Sequence, residues 1–249
     1  MNHSFYIGAV GAQQQLQRMN VQSNNIANVN TYGFKAEKAR FTNLLYENLQ
    51  GIDGAQLPMG AGASLLMTST DHAQGGAVTT GRELDYMIEG DGFFALADLE
   101  SGEISYTRDG SFISAAMQRP TEQLDENGMP VIETVFCLSD GNGRFVLSRQ
   151  GELIELDGQQ EGMLPIGIFD YRVYDGMRHQ EGVRFTPVEK NGNLILASGT
   201  LCQGMLERSN VDLAEEITKV VESQRAYGMA LKMVQVSDEI ETTINNLNG

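Results

Sequence analysis

Leu213-Ala-Glu-Glu-Ile217-Thr-Lys-Val220-Val-Glu-Ser-Gln224-Arg-Ala-Tyr227-Gly-Met-Ala-Leu231-Lys-Met-Val234 decides how this chain is organised. Its apolar or seam positions (Leu213, Ile217, Val220, Gln224, Tyr227, Leu231 and Val234) alternate four and three residues apart, the spacing of a heptad stripe. Two three-residue steps through Ser237 to Ile240 make a stammer, and the stripe resumes at Ile244 and Leu247. A stripe this long predicts a partner helix. Residues 1–28 supply one, because Phe5, Ala9, Ala12, Leu16, Met19, Ser23 and Ile26 repeat the alternation. Gly8 and Gly11 lower its propensity by ~1 kcal/mol each, so this helix depends on packing. It is expected to close at Asn28-Val-Asn30-Thr-Tyr-Gly33, where Asn and Gly tolerate the left-handed conformation. Asn24, Asn25, Asn28 and Gly33 are the candidate turn residues, although by themselves the asparagines read as a polar last turn.

Between the two stripes the text changes character. Phe41 to Leu49 reads as one or two helical turns or an extended segment, and residues 51–81 are rich in Gly, Ala and Thr, with a short strand expected at Ser64–Thr68. The period becomes two in Leu84-Asp-Tyr86-Met-Ile88, ahead of Gly90-Asp-Gly92 and Phe93-Phe94. Asp-Gly pairs at 91–92, 109–110, 140–141, 157–158 and 175–176, with Asn127-Gly128 and Asn191-Gly192, predict hairpin turns. The short apolar runs between them predict a compact all-β barrel or sandwich. Gly204 is expected to end it, and Ser209 or Asn210 to cap the last helix. The fold class is therefore α+β: N- and C-terminal helices forming a coiled coil, bridged by an extended connector and an all-β middle domain. The expected boundaries are 1–33 with 207–249 for the helical assembly domain, 34–80 for the connector and 81–206 for the β-domain.

Composition excludes more than it selects. The formal charge is −16 over 249 residues, which argues against a nucleic-acid binder and against docking on anionic lipid. Residues 1–50 carry Arg18, Lys35, Lys38 and Arg40 against Glu37 and Glu47, a sum of +2 that leaves −18 on the rest. Cys137 and Cys202 lack C-x-x-C spacing and read as buried free thiols, with one disulfide between them as the alternative. No basic and apolar leader opens the chain, so no cleaved signal is expected. His3, His72 and His179 are scattered without ligand spacing, so no metal is assigned. No phosphate-cradling glycine motif occurs, so neither cofactor nor nucleotide is expected. Asp140-Gly-Asn142-Gly opens like a calcium loop, but Arg144 follows and the terminal Glu is missing, which favours a hairpin turn. No catalytic constellation stands out.

Several stretches together resemble the bacterial flagellar axial proteins, specifically the basal-body rod subunits and their hook relatives. Asn24-Asn-Ile-Ala-Asn28-Val-Asn-Thr-Tyr-Gly33-Phe-Lys35 resembles the N-terminal rod motif. Thr80-Gly-Arg-Glu-Leu84-Asp, Ile88-Glu-Gly-Asp-Gly-Phe-Phe94 and Tyr106-Thr-Arg-Asp-Gly110-Ser-Phe112 resemble the entry to the family's β-domain. Met205-Leu-Glu-Arg-Ser-Asn210-Val, Gln224-Arg-Ala-Tyr227 and Ile244-Asn-Asn-Leu247 resemble the C-terminal rod motif. These stretches cover about half the chain, in family order. Residues 113–127 depart from the family pattern, as an insertion holding Arg119-Pro120 would, and 136–203 match no motif. Gln224-Arg-Ala-Tyr227 leans toward a distal-rod-like subunit, and Gly81-Arg-Glu-Leu-Asp85 toward a proximal-rod-like one.

The resemblance implies a structural subunit that self-assembles through its terminal helices into a helical tube, transmits torque and encloses an export channel. Implied partners are copies of itself, other rod and hook subunits and the flagellar export apparatus, with no nucleic acid and no small-molecule substrate. The implied location is the basal body, spanning the periplasm or cell wall, with Phe5 to Val10 as part of an export signal. Leu16, Met19 and Ile26 facing Leu213, Ile217, Val220, Tyr227, Leu231 and Val234 are the expected assembly interface. The competing class is a soluble binding module, an acidic β-domain clasped by an intramolecular helical hairpin. A glycan-cleaving enzyme is a weaker third.

Overall fold

The computed structural model describes residues 3–43, 47–50, 56–59, 63–124, 130–156, 162–180 and 182–247. They form two compact units: one of residues 1–29, 36–71 and 211–249, the other of residues 30–35 and 72–210. These units divide the chain elsewhere than at the expected boundaries. Residues 36–71 group with the helices, whereas 30–35, 72–80 and 207–210 group with the β-strands.

In the first unit, α1 (His3–Ala27) and α2 (Leu213–Leu247) lie side by side. They run antiparallel, since Gly8 meets Val234 while Asn25 meets Glu216. The face that α1 buries holds Gly8, Ala12, Gln22 and Asn25, and the face that α2 buries holds Glu216, Ser223 and Ser237. A Cβ on Gly8 would stand 3.0 Å from Val234 Cγ2 and 3.3 Å from the Ala230 carbonyl oxygen. Small residues thus bring the two backbones close.

This seam is rotated away from the heptad stripe expected from apolar spacing. Leu16, Leu213, Ile217 and Leu231 are exposed, Met19, Ile26, Val220 and Tyr227 are half-buried, and Val234, also half-buried, meets Gly8 in the seam itself. The physical reason is close approach near Gly8, Ala12, Ser223 and Ser237, where small residues serve, while Gln22, Asn25 and Glu216 fill the rest of the buried faces with polar side chains.

α2 begins at an Asp cap. Asp212 Oδ1 accepts from the backbone N–H groups of Ala214 (2.9 Å) and Glu215 (3.2 Å), so the cap is Asp212 rather than Ser209 or Asn210. Asp212→Ala is expected to cost about 1 kcal/mol, read as helicity lost at 222 nm on warming. β1 (Glu37–Asn43), β2 (Glu47–Gln50), β3 (Gln56–Met59) and β4 (Ala63–Thr70) complete the unit. β1 pairs antiparallel with β4 through a bulge at Arg40/Phe41, and β2 pairs with β3. The run from Phe41 to Leu49 is therefore extended where described; residues 44–46 lie outside the described residues.

The second unit carries β5 (Ala77–Thr79), β6 (Tyr86–Glu89), β7 (Phe93–Asp98), β8 (Ile104–Thr107), β9 (Ile113–Leu124) and β10 (Pro130–Ser139). Then follow β11 (Arg144–Val146), β12 (Ile168–Tyr171), β13 (Arg178–Gln180), β14 (Arg184–Thr186), β15 (Leu194–Leu196), β16 (Thr200–Gln203) and β17 (Met205–Glu207). The main sheet runs β13-β14-β8-β7-β11-β10-β9, with β12 paired to β7 and β15. β16 pairs with β6 and β17 with β5, all antiparallel. β7 is buried on both faces. Phe94 and Leu96 join Tyr86, Phe112, Leu138 and Val146 in one cluster, while Phe93 and Ala95 join Tyr106, Phe169, Tyr171 and Phe185 in another. That is the period of two at work, since successive side chains leave opposite faces of the strand.

Residues 113–124 and 130–139 are the arms of one long hairpin, β9–β10. Of the predicted turns, 140–141 joins paired strands β10 and β11. Asp91-Gly92, Asp109-Gly110, Asp175-Gly176 and Asn191-Gly192 instead sit where the chain passes between strands that do not pair with each other. Residues 127–128 and 157–158 lie outside the described residues. A hairpin closed at Gly102, φ +69°, was not among the predicted ones. Nor does Gly204 end the β region, because β17 follows it. Both cysteines are free, Cys137 buried and Cys202 half-buried.

Candidate functional site

The asparagines at the end of α1 do different work. Asn28 Nδ2 donates to the Asn24 carbonyl (2.9 Å) and to Asn24 Oδ1 (3.1 Å), closing the last turn on itself. Asn25 is buried and pairs both ways with one peptide edge: its Nδ2 donates to the Glu37 carbonyl at 2.8 Å, and its Oδ1 accepts the Glu37 N–H at 2.9 Å. A side-chain amide here copies a strand's donor–acceptor pair and ties α1 to β1. The same Nδ2 lies 3.3 Å from Glu216 Oε2 on α2, and Glu216 Oε1 accepts from Lys219 Nζ at 2.7 Å.

In the second unit, three passes of the chain meet at a buried ion cluster. Lys35, Arg108 and Glu207 are each at least nine-tenths buried. Lys35 Nζ donates to Glu207 Oε1 at 2.6 Å and to the Ala73 carbonyl at 2.8 Å. Glu207 Oε1 also accepts the Gly75 N–H at 2.7 Å, and Arg108 Nη1 reaches Oε2 at 3.2 Å. Arg108 Nη2 donates to the Gly90 carbonyl at 2.7 Å, and the guanidinium carbon lies 5.5 Å from the centre of the Phe93 ring. One carboxylate thus faces two cations, and the Ala73 and Gly90 carbonyls take up further donors of Lys35 and Arg108, while the buried Arg108 Nε makes no hydrogen bond among the described residues. A buried charge is tolerated only when paired and hydrogen-bonded in this way.

Gly33 locks beside the cluster. Its N–H donates to the Glu207 carbonyl at 2.8 Å and its φ is +67°. A Cβ there would fall 2.2 Å from the Asp109 nitrogen and 2.4 Å from the Arg108 carbonyl carbon. Glycine is required both by the backbone conformation and by the neighbouring chain. Burial raises the Asp109 carboxyl above its ordinary value, against the hydrogen bonds that Ser111 donates through its N–H and hydroxyl.

Of the expected turn residues Asn24, Asn25, Asn28 and Gly33, Asn28 bonds back to Asn24 and Gly33 takes a positive φ, whereas Asn25 is tied to β1. Lys35, Arg108 and Glu207 were quoted within motifs but not singled out, because charged residues ordinarily read as solvated. Buried and paired charge to charge, the cluster ties chain segments together. Among the described residues, no three His, Cys, Asp or Glu side chains gather as a metal site.

Comparison with known proteins follows the same three passes. Residues 5–35 match the flagella basal body rod protein family, 87–135 the flagellar hook protein FlgE/F/G D1 domain, and 203–247 the flagellar basal body rod FlgEFG protein C-terminal family. Lys35, Arg108 and Glu207 each come from a different one of these segments. The flagellar basal-body rod protein FlgG of Buchnera aphidicola subsp. Baizongia pistaciae is 30% identical over 95% of this chain and 96% of its own. FlgG of Bacillus subtilis is 29% identical over 99% of both chains. The flagellar hook-basal body complex protein FlhP of B. subtilis is 24% identical over 99% of this chain. With its motifs at both ends and relatives that align from end to end, the chain belongs to the flagellar basal-body rod protein family, whose members are structural subunits.

Proposed function

We propose that this chain is a rod subunit that polymerises through α1 and α2, the two helices forming part of a coiled coil completed by neighbouring copies. The tube so built transmits torque and encloses an export channel. Other rod and hook subunits continue it at either end, and the flagellar export apparatus delivers the chain to a site spanning the periplasm or cell wall. One observation carries this reading: apolar side chains stand exposed on both flanks of the helix pair, Phe5, Tyr6 and Leu16 on α1, and Leu213, Ile217, Val221, Leu231 and Ile240 among those on α2. Apolar rows left exposed on a helix that already has one partner call for further packing, and one chain supplies a single partner helix. Repeating one heterologous contact without closure yields a helical polymer.

The test is concentration-dependent polymerisation of the purified chain beside its Tyr227→Asp variant, since Tyr227 is half-buried on α2. The expected result is polymer above a threshold concentration for the parent and none for the variant, with equal unfolding midpoints for their β units. Rods built by the variant would remove Tyr227 from the interface. A parent that stays monomeric at every concentration would favour the clasped binding module instead.

A further inference from the structure

The exposed apolar residues of α2 fall into two rows. Leu213, Ile217, Val221 and Leu231 form the first, with exposed Gln224 and half-buried Gly228 filling its spacing. Met229, Met233, Val236, Ile240, Ile244 and Leu247 form the second. At 3.6 residues per turn the rows lie roughly 100° to either side of the face that meets α1. They occupy opposite flanks and opposite halves of one helix.

The rows also share a register. Leu213, Ile217, Gln224, Gly228 and Leu231 match Met229, Met233, Ile240, Ile244 and Leu247 at a constant offset of about 16 residues, or ~24 Å along the axis. Val221 falls one residue from the counterpart of Val236. The second row continues onto Asp238–Leu247, where every described residue is exposed and α1 no longer covers the helix.

We propose that the second row of α2 docks on the first row of α2 in another copy of this chain, the helices parallel and staggered by about 16 residues. This rests on the assembly reading above and names the contact that propagates it. Charge agrees with the pairing. Arg225 and Glu239 are both exposed and have no ion-pair partner among the described residues. The stagger sets them on the same side of the contact, within about two residues' rise, ~3 Å. Because the rows differ, each copy offers both at once and the contact never closes on itself.

The experiment uses the full chain with Cys137→Ala and Cys202→Ala as parent, polymerised and then oxidised with copper–phenanthroline. Adding Ile217→Cys and Met233→Cys together places two thiols at one level, and a ladder of disulfide-linked oligomers is expected. Adding Leu213→Cys and Ile244→Cys places them about 15 residues apart, ~22 Å, and no ladder is expected. Polymers that ladder equally in both variants, or in the mismatched one alone, overturn the stagger while leaving the assembly reading intact. A parent that forms no polymer overturns both.

An independent variant pair avoids any dependence on thiol placement. Arg225→Glu and Glu239→Arg are each expected to raise the critical concentration about five-fold, and their combination to restore it. A double variant no better than either single one overturns the contact.

Discussion

Glu207→Gln is expected to lower the unfolding midpoint of the β unit by about 10 °C. Glutamine keeps the size of the side chain and an oxygen for Lys35 and the Gly75 N–H, but it removes the charge that two buried cations share. Breaking a buried ion pair by removing one partner costs roughly 3–5 kcal/mol. For a unit of this size each kcal/mol moves the midpoint by about 2–4 °C. Differential scanning calorimetry on the full chain measures it. The control is a triple variant, Lys35→Met, Arg108→Met and Glu207→Leu, which removes all three charges together. It is expected to lose less than Glu207→Gln, since a neutral packed core avoids the desolvation cost. A single variant that unfolds within 2 °C of the parent, or a triple variant markedly worse than the single, would show that charge pairing is not what holds the three passes together.

Gly33→Val is expected to be comparably damaging for a different reason. A left-handed backbone costs a residue with a side chain about 1–2 kcal/mol, and a β-branched one is poorly suited to it. The larger part is steric, because a Cβ at this position overlaps the backbone of Arg108 and Asp109 rather than a movable side chain. Relief requires the Gly33 N–H to leave the Glu207 carbonyl and the chain beside Lys35 to shift. A combined loss of about 3–5 kcal/mol follows from strain and overpacking together. Gly143 makes the comparison clean: its φ is +85°, yet no atom lies within 4 Å of a built Cβ. Gly143→Val therefore reports the backbone term alone. Equal losses at the two positions, read from the same calorimetric scan, would mean that the approach of residues 108–109 contributes nothing.

The parts of this fold that were legible in sequence are those in which one local pattern suffices. The two helices announce themselves by spacing, and the change to a period of two at Leu84 marks the strands. What misled was the equation of apolar with buried. The buried faces of the helix pair hold small residues (Gly8, Ala12, Ser223 and Ser237) and polar ones (Gln22, Asn25 and Glu216), and neither kind leaves a hydrophobic signature. The apolar stripe indicated the two helices, yet within the chain Val234 is the residue of it that meets Gly8 of α1, while Leu213, Ile217 and Leu231 stand exposed. Asp-Gly pairs misled similarly: they mark where the backbone turns, and at 91–92 and 109–110 the turn carries the chain away from the strand it has just left. The ion cluster was invisible for another reason. Lys35 and Glu207 are separated by 172 residues, and no local window relates them.

The placement of that cluster bears on how the protein carries load. The chain passes between its two units at residues 29–30, 35–36, 71–72 and 210–211. Within the β unit, Lys35 is tied to Ala73 and Glu207, Asn210 Nδ2 donates to the Ala73 carbonyl at 3.0 Å, and the Arg208 N–H donates to the Gly76 carbonyl at 2.8 Å. The segments that enter and leave are thus tied together at the point of entry. A pull on any one of them loads bonds that act in parallel and must fail together, so the unit resists like a riveted joint instead of unzipping strand by strand. In a single-molecule stretching record, that is one tall force peak rather than a staircase of small ones.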